Sequence, residues 1–245
     1  MAWIYEPKSR EPFRISRSKI DDFLKCPRCF YLDRRLGVAR PSMPGFSLNN
    51  AVDELMKKEF DIHRAQNTAH PLMTTYGIDA VPFDHPKMDE WRDALRRGIQ
   101  FLHPPTNLNI TGGIDDVWQD SRGQLMIVDY KATATDQEIS LDSEYKQGYK
   151  KQVEVYQWLF RQNGFDVSNK AYFVFCNGLR DKKAFDGKLE FDLSIIEHVG
   201  NDEWVEPTIL AIKKTLDSDT IPASNPACEL CNYVKKSNEK DQHNY

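Results

Sequence analysis

Hydrophobic positions along the chain change rhythm several times, and each rhythm predicts an element. In SRSKIDDFLKCPRCFYLDRRL (16–36), Ile20, Phe23 and Leu24 recur at helical spacing behind Ser18, which is placed to cap the helix. Pro27 interrupts that pattern, and Phe30, Tyr31 and Leu32 resume it. A second helix is expected from Ser47 to His63, where Leu48, Val52, Leu55, Met56 and Phe60 form an apolar stripe. Residues 67–85 show no regular period. A further helix is expected behind Pro86, carrying Met88, Trp91, Leu95 and Ile99, and ending at Pro104 and Pro105.

Beyond Asn107 the rhythm shortens. LNITGGIDDVW and QLMIVDYKAT are rich in β-formers and flank DSRG (120–123), a turn signal, so together they predict a hairpin. Residues 144–163 return to helical spacing through Tyr149, Val153, Tyr156, Leu159 and Phe160. AYFVFCNG (171–178) is almost wholly apolar and predicts a central strand buried on both faces. KLEFDL (188–193) alternates like an edge strand, and a helix is expected over 205–216 before Pro222 and Pro226. This order predicts an α/β (α+β) fold, with a mixed central β-sheet flanked by helices. The segments divide as an N-terminal helical region (1–106), a core with a C-terminal cysteine segment (107–231) and a flexible polar tail (232–245).

The 245-residue chain can bury a substantial core, and its 40% hydrophobic and 29% charged content is that of a globular protein. Its net charge of −4 argues against coating nucleic acid by bulk charge, yet leaves local basic groups such as Lys57/Lys58, Arg96/Arg97 and Lys146/Lys150/Lys151. Each group reads equally well as a solvated helix face. No signal-like start and no run near the roughly 20 apolar residues of a membrane span is present, so a cytoplasmic location without membrane contact is expected. In a reducing compartment the five cysteines are not expected to form disulfides.

The hairpin carries the candidate chemistry. Asp129 and Lys131 alternate on one face of the second strand, with Val128 and Tyr130 on the other. The hairpin can bring Asp115 beside Asp129. Two carboxylates in one place repel unless one keeps a proton or a cation intervenes. A hard ion such as Mg²⁺ or Mn²⁺ suits oxygen ligands and retains waters for reaction. The plain alternative is exposed acids on an alternating strand.

These residues resemble the PD-(D/E)XK nuclease superfamily in its RecB-like branch, a restriction-endonuclease-like fold. Gly112-Gly113-Ile114-Asp115 matches the first acid, and Val128-Asp129-Tyr130-Lys131 matches the second acid and the lysine. The resemblance implies that Tyr130 offers its backbone carbonyl to the metal. Gln152 and Tyr156, in QVEVY, match the Gln-x-x-x-Tyr helix of that branch and share one helical face. The motifs reach from about residue 16 to 231. One departure stands out: NNAVDELMKK lacks the family's glycine and puts Asp53 where a metal-binding histidine is usual. Asp53 is then either a ligand for a hard ion or an ordinary helix acid. The implied activity is metal-dependent hydrolysis of DNA, at single strands or ends. The implied partners are a helicase or another recombination or CRISPR protein acting in trans. The alternative is a nuclease fold that binds DNA or protein without cutting it.

Cys26/Cys29 (CPRC) and Cys228/Cys231 (CELC) are two Cys-x-x-Cys pairs, each able to grip one metal. Iron–sulfur relatives of the AddB and CRISPR-adaptation type clamp the ends of the nuclease domain with one early and three late cysteines. Here the division is two and two, so a [4Fe-4S] cluster, zinc and unligated packing all stay open. A structural protein built around the cysteine clamp is a third, weaker reading. Cys176, inside the apolar strand, is expected in the core.

Overall fold

The computed structural model describes residues 4–41, 45–143 and 146–241. The elements run β1 (Phe13–Ser16), α1 (Arg17–Lys25), α2 (Pro27–Leu36), α3 (Ser47–Gln66), α4 (Pro71–Thr75), β2 (Val81–Pro82), α5 (Met88–Arg92) and β3 (Ile99–His103). They continue with β4 (Leu108–Gly112), β5 (Asp116–Gln119), β6 (Leu125–Thr133), α6 (Gln147–Gln162), β7 (Val167–Gly178), β8 (Phe191–Val199), α7 (Val205–Asp217) and α8 (Glu229–Asp241). The mixed α/β fold expected from the sequence is present. A five-stranded sheet has the order β2-β5-β6-β7-β8, and a three-stranded sheet has the order β1-β4-β3.

The chain forms two compact units, each drawn from separated segments. One comprises 1–43, 102–110 and 203–245; the other comprises 44–101 and 111–202. In the second unit β5 and β6 form the expected antiparallel hairpin, Asp116 facing Val128 and Gln119 facing Leu125. Strands β6 and β7 are parallel, so α6 crosses between them, and β8 returns antiparallel to β7 as the edge. Helix α3 lays Met56 and Phe60 on one face of this sheet, in a core with Trp118, Val128, Tyr130, Val174 and Cys176. Phe60 stacks on His70 and Trp118, at ring separations of 4.3 and 5.4 Å. Helix α6 packs on β6 and β7 and buries Val153, Tyr156, Leu159 and Phe160.

In the first unit, α1, α2 and α7 pack together, burying Ile20, Phe23, Phe30, Ile209 and Ile212. Helix α8 buries no residue at all. Residues 232–241, expected as part of the polar tail, continue this helix, and 242–245 lie outside the described residues.

Several expectations need correction. Helix α1 starts at Arg17, with Ser16 rather than Ser18 at its cap. The helix expected across 86–103 stops at Arg92; Leu95 is 91% exposed, and Ile99 begins a strand. Gly98, at φ 74°, turns the chain between the two, so the spacing of Met88, Trp91, Leu95 and Ile99 does not reflect one helix. LNITGGIDDVW is not one strand: β4 and β5 lie in different sheets, and Gly113 to Asp115 bridge them. KLEFDL contributes only its end, since β8 starts at Phe191. Of the helix expected from 144, residues 144–145 lie outside the described residues, and α6 starts at Gln147.

Candidate active site

Strand β6 is buried from Leu125 to Tyr130, so a charged residue there must find compensation inside the protein. Asp129 has no exposed surface, and its carboxylate is ion-paired with Lys131 on the same face of the strand. Tyr130 points the other way, into the aromatic core beneath α3. The alternation expected from the sequence therefore holds.

Asp115 sits immediately before β5, at the end of the ladder. Its Oδ2 accepts from the backbone N–H of Tyr130 at 2.9 Å. Lys57, from α3, approaches Asp115 Oδ1 at 3.5 Å and donates to Asp53 Oδ2 at 2.6 Å. Asp53, Asp115, Asp129 and Lys131 thus belong to one electrostatic neighbourhood. Burial raises the Asp53 carboxyl, and the Asp115 charge raises it further, partly offset by Lys57 and Lys131. Burial opposes the charge on Lys131, but Asp129 and Asp115 outweigh it and hold the ammonium above its ordinary value. The same balance, with Asp115 and Asp53 prevailing over burial, raises Lys57.

Helix α6 closes this face. Tyr156 is buried near Lys131, and Gln152 Nε2 donates to the Tyr156 hydroxyl at 3.2 Å. Lys131 also lies over the Tyr149 ring, 4.6 Å from its centroid. Two glycines allow the approach. A Cβ on Gly112 would stand 2.6 Å from the Tyr156 ring, and one on Gly113 would stand 2.5 Å from the Ala94 Cα. A groove of about 270 Å³ opens beside Lys131, lined among others by Phe46, Asn49, Thr133, Lys146 and Tyr149.

Behind the acids lies a network that sequence reasoning missed. Asp116 is wholly buried, and its Oδ2 accepts from the Tyr130 hydroxyl at 2.7 Å. Its Oδ1 accepts from the Val117 N–H at 2.8 Å, from Arg92 at 3.2 Å and from Arg64. Arg92 also donates through Nε to the Asp115 carbonyl at 3.0 Å and through Nη1 to Asp61 at 2.8 Å, so it ties the backbone of the candidate ligand to this network. Burial and the Asp116 charge push the Tyr130 hydroxyl well above its ordinary value. One signal was available: Arg64 continues the stripe of Met56 and Phe60 on α3, a charge on an otherwise apolar face.

The carboxylates of Asp53, Asp115 and Asp129 and the Tyr130 carbonyl are oxygens of the type that suits Mg²⁺ or Mn²⁺, although the three carboxylates do not all lie within 4.8 Å of one another. Lys57 and Lys131 hold the countercharge among them. A second donor set lies in the other unit. Among the described residues, Cys26, Cys29, Cys228 and Cys231 are the one group of three or more potential ligands whose donor atoms all lie within 4.8 Å of one another. These thiolates could hold a metal ion or an iron–sulfur group. Burial raises the Cys26 thiol, but the Asn225 and Cys29 backbone N–H groups outweigh it and bring it down to about 7. Cys176 is a buried core residue with its thiol raised by burial to about 11.

A family model described as the PD-(D/E)XK nuclease superfamily matches residues 47–235, most of the chain. No curated protein matches the chain. Among solved structures, the crystal structure of SSO0001 aligns at 14% identity over 83% of this chain and 78% of that one, with a TM-score of 0.33. Among the described residues, no helix is long and apolar enough to cross a membrane.

Proposed function

The chain belongs to the PD-(D/E)XK nuclease superfamily, a group of metal-dependent nucleases, and from that premise we propose that it hydrolyses phosphodiester bonds of DNA, at single strands or strand ends. The observation that carries this reading is the neighbourhood of Asp115, Asp129 and Lys131 at one end of the β5–β6 hairpin, with Asp53 and Lys57 facing it from α3. Asp53, Asp115, Asp129 and the Tyr130 carbonyl would hold Mg²⁺ or Mn²⁺. Such an ion lowers the pKa of a bound water and offsets charge on a phosphoryl oxygen. Lys131 keeps its proton and supplies positive charge where the transition state gathers negative charge. Tyr156, braced by Gln152, flanks Lys131 and limits its freedom.

The groove supports the single-stranded part of the reading. At about 270 Å³ it is of a size to seat an unstacked base. Phe46, 70% exposed, and Tyr149 offer ring faces there, and Lys146 offers a charge for the backbone. The proposed setting is the cytoplasm, with strands delivered by a helicase or another recombination or CRISPR protein.

The test uses end-labelled single- and double-stranded DNA with Mg²⁺, Mn²⁺ or EDTA, beside Asp129→Asn and Lys131→Ala. We expect metal-dependent products that fall by at least ~100-fold in both variants, with far-UV circular dichroism unchanged. Phe46→Ala should weaken single-strand binding by about 1–3 kcal/mol while duplex binding stays the same. Tight DNA binding with no cutting under either metal would replace the nuclease reading with a non-catalytic module, in which Lys57 permanently occupies the place of the cation.

A further inference from the structure

The four cysteines come from two distant stretches of sequence, and their sulfurs converge closely. Cys29 Sγ lies 3.4 Å from Cys231 Sγ and 3.7 Å from Cys228 Sγ, and Cys26 Sγ lies 3.9 Å from Cys231 Sγ. Metal–sulfur bonds of about 2.3 Å in a tetrahedron put the sulfurs about 3.8 Å apart. The cysteines of a [4Fe-4S] cube each bind a different iron and stand on the order of 6 Å apart. No pair of ligand atoms in this set exceeds 4.8 Å, so a cube does not fit between them.

The surroundings say what such an ion would do. Cys26 and Cys29 lie at the start of α2, and Cys231 lies on α8 with Cys228 just before it. Helix α8 buries none of its residues; Tyr233 is 72% exposed and Val234 48%. An open groove of about 750 Å³ runs beside the cysteines, lined among others by Leu32, Val38, Leu230 and Tyr233, so α8 is not sealed against α2 by packing. Besides the sulfurs, the hydrogen bonds that tie the segment include Asn225 Nδ2 to the Lys25 carbonyl at 2.9 Å and Arg28 to the Pro222 carbonyl at 3.5 Å. A solitary helix of this length is marginal in water. Four thiolates around a divalent ion leave a net negative charge, and the Arg40 guanidinium, which interacts electrostatically with Cys29 and Cys228, lies beside it.

We infer that Cys26, Cys29, Cys228 and Cys231 bind a single tetrahedral ion of the zinc type, not an iron–sulfur cube, and that this ion fastens α8 to the start of α2. Its role is structural: all four positions are filled by protein, which leaves no open one for a reactant.

The full chain is purified anaerobically from cells supplied with both iron and zinc, and its metal and acid-labile sulfide are measured. The expected result is one zinc per chain, no sulfide, and no visible absorption. Replacing zinc with Co²⁺ should give the absorption of a tetrahedral tetrathiolate site. A thiol-compatible chelator, or Cys231→Ser, should make the chain within α8 much more sensitive to limited proteolysis. Circular dichroism, run alongside, reports whether the remaining fold persists. Iron and sulfide in equal amounts, about four of each per chain, would overturn the single-ion assignment. Metal-free protein whose α8 resists protease as well as the loaded form would overturn the fastening role.

Discussion

Asp115 and Asp116 are adjacent in sequence and serve opposite purposes. Asp115 faces Lys57 and the Tyr130 N–H at the end of the hairpin, whereas Asp116 turns inward to Arg64, Arg92 and the Tyr130 hydroxyl. Asp115→Asn should therefore abolish cutting with little change in stability. Asp116→Ala removes the wholly buried carboxylate that Arg64 and Arg92 share, leaving them, among the described residues, only the half-exposed Asp61 as an acidic partner, and should cost about 3–5 kcal/mol in chemical denaturation. Equal stability losses in the two variants would contradict this division. The sequence pattern cannot separate them: both acids stand at the head of a β-rich stretch, and the arginine that distinguishes Asp116 is 52 positions away. Asp129 and Lys131 were legible because strand alternation fixes their shared face locally. Lys57 was visible only as one of a basic pair, since its role depends on how α3 meets the hairpin.

At the scale of elements, the site depends on a tight crossing of backbone at Gly112 and Gly113. Gly113→Ala would bring a methyl against the Ala94 backbone, which cannot yield as a side-chain tip could. A loss of about 1–3 kcal/mol, read as a lower melting temperature, is expected. Gly112→Ala presses on the Tyr156 ring, which can tilt. Its expected signature is reduced activity, several-fold beyond any change in melting temperature, because Tyr156 flanks Lys131. The hairpin, α3, α6 and β7 were readable from periodicity, since each buries a face that repeats over several turns or pleats. The stretch from 86 to 112 was not. There Gly98 and the paired glycines redirect the chain, and four apolar residues at helical spacing, one of them exposed Leu95, imitate a helix that ends at Arg92.

For the whole molecule, composition set the class, while the arrangement of charge needed the fold. Burial would raise the Asp61 carboxyl, but hydrogen bonds from Arg92 and Arg64 outweigh it and hold it below the ordinary value. A carboxyl depressed in the folded state adds stability above its unfolded pKa of about 3.9, and that stability is lost as pH falls through the folded value. Denaturation free energy should thus decline from about pH 5 downward, and Asp61→Asn should flatten that decline. A parent and variant with identical acid limbs would refute the assignment. The position of β6 has a further consequence, for motion. It is hydrogen-bonded on both sides, to β5 and β7, and its amides should be among the slowest in the protein to exchange with deuterated water. The groove beside it is bordered by residues 134–143, which hold neither helix nor strand. Any accommodation of ligands of different shape should therefore fall to that border, with β6, which carries Asp129 and Lys131, as the fixed side of the groove.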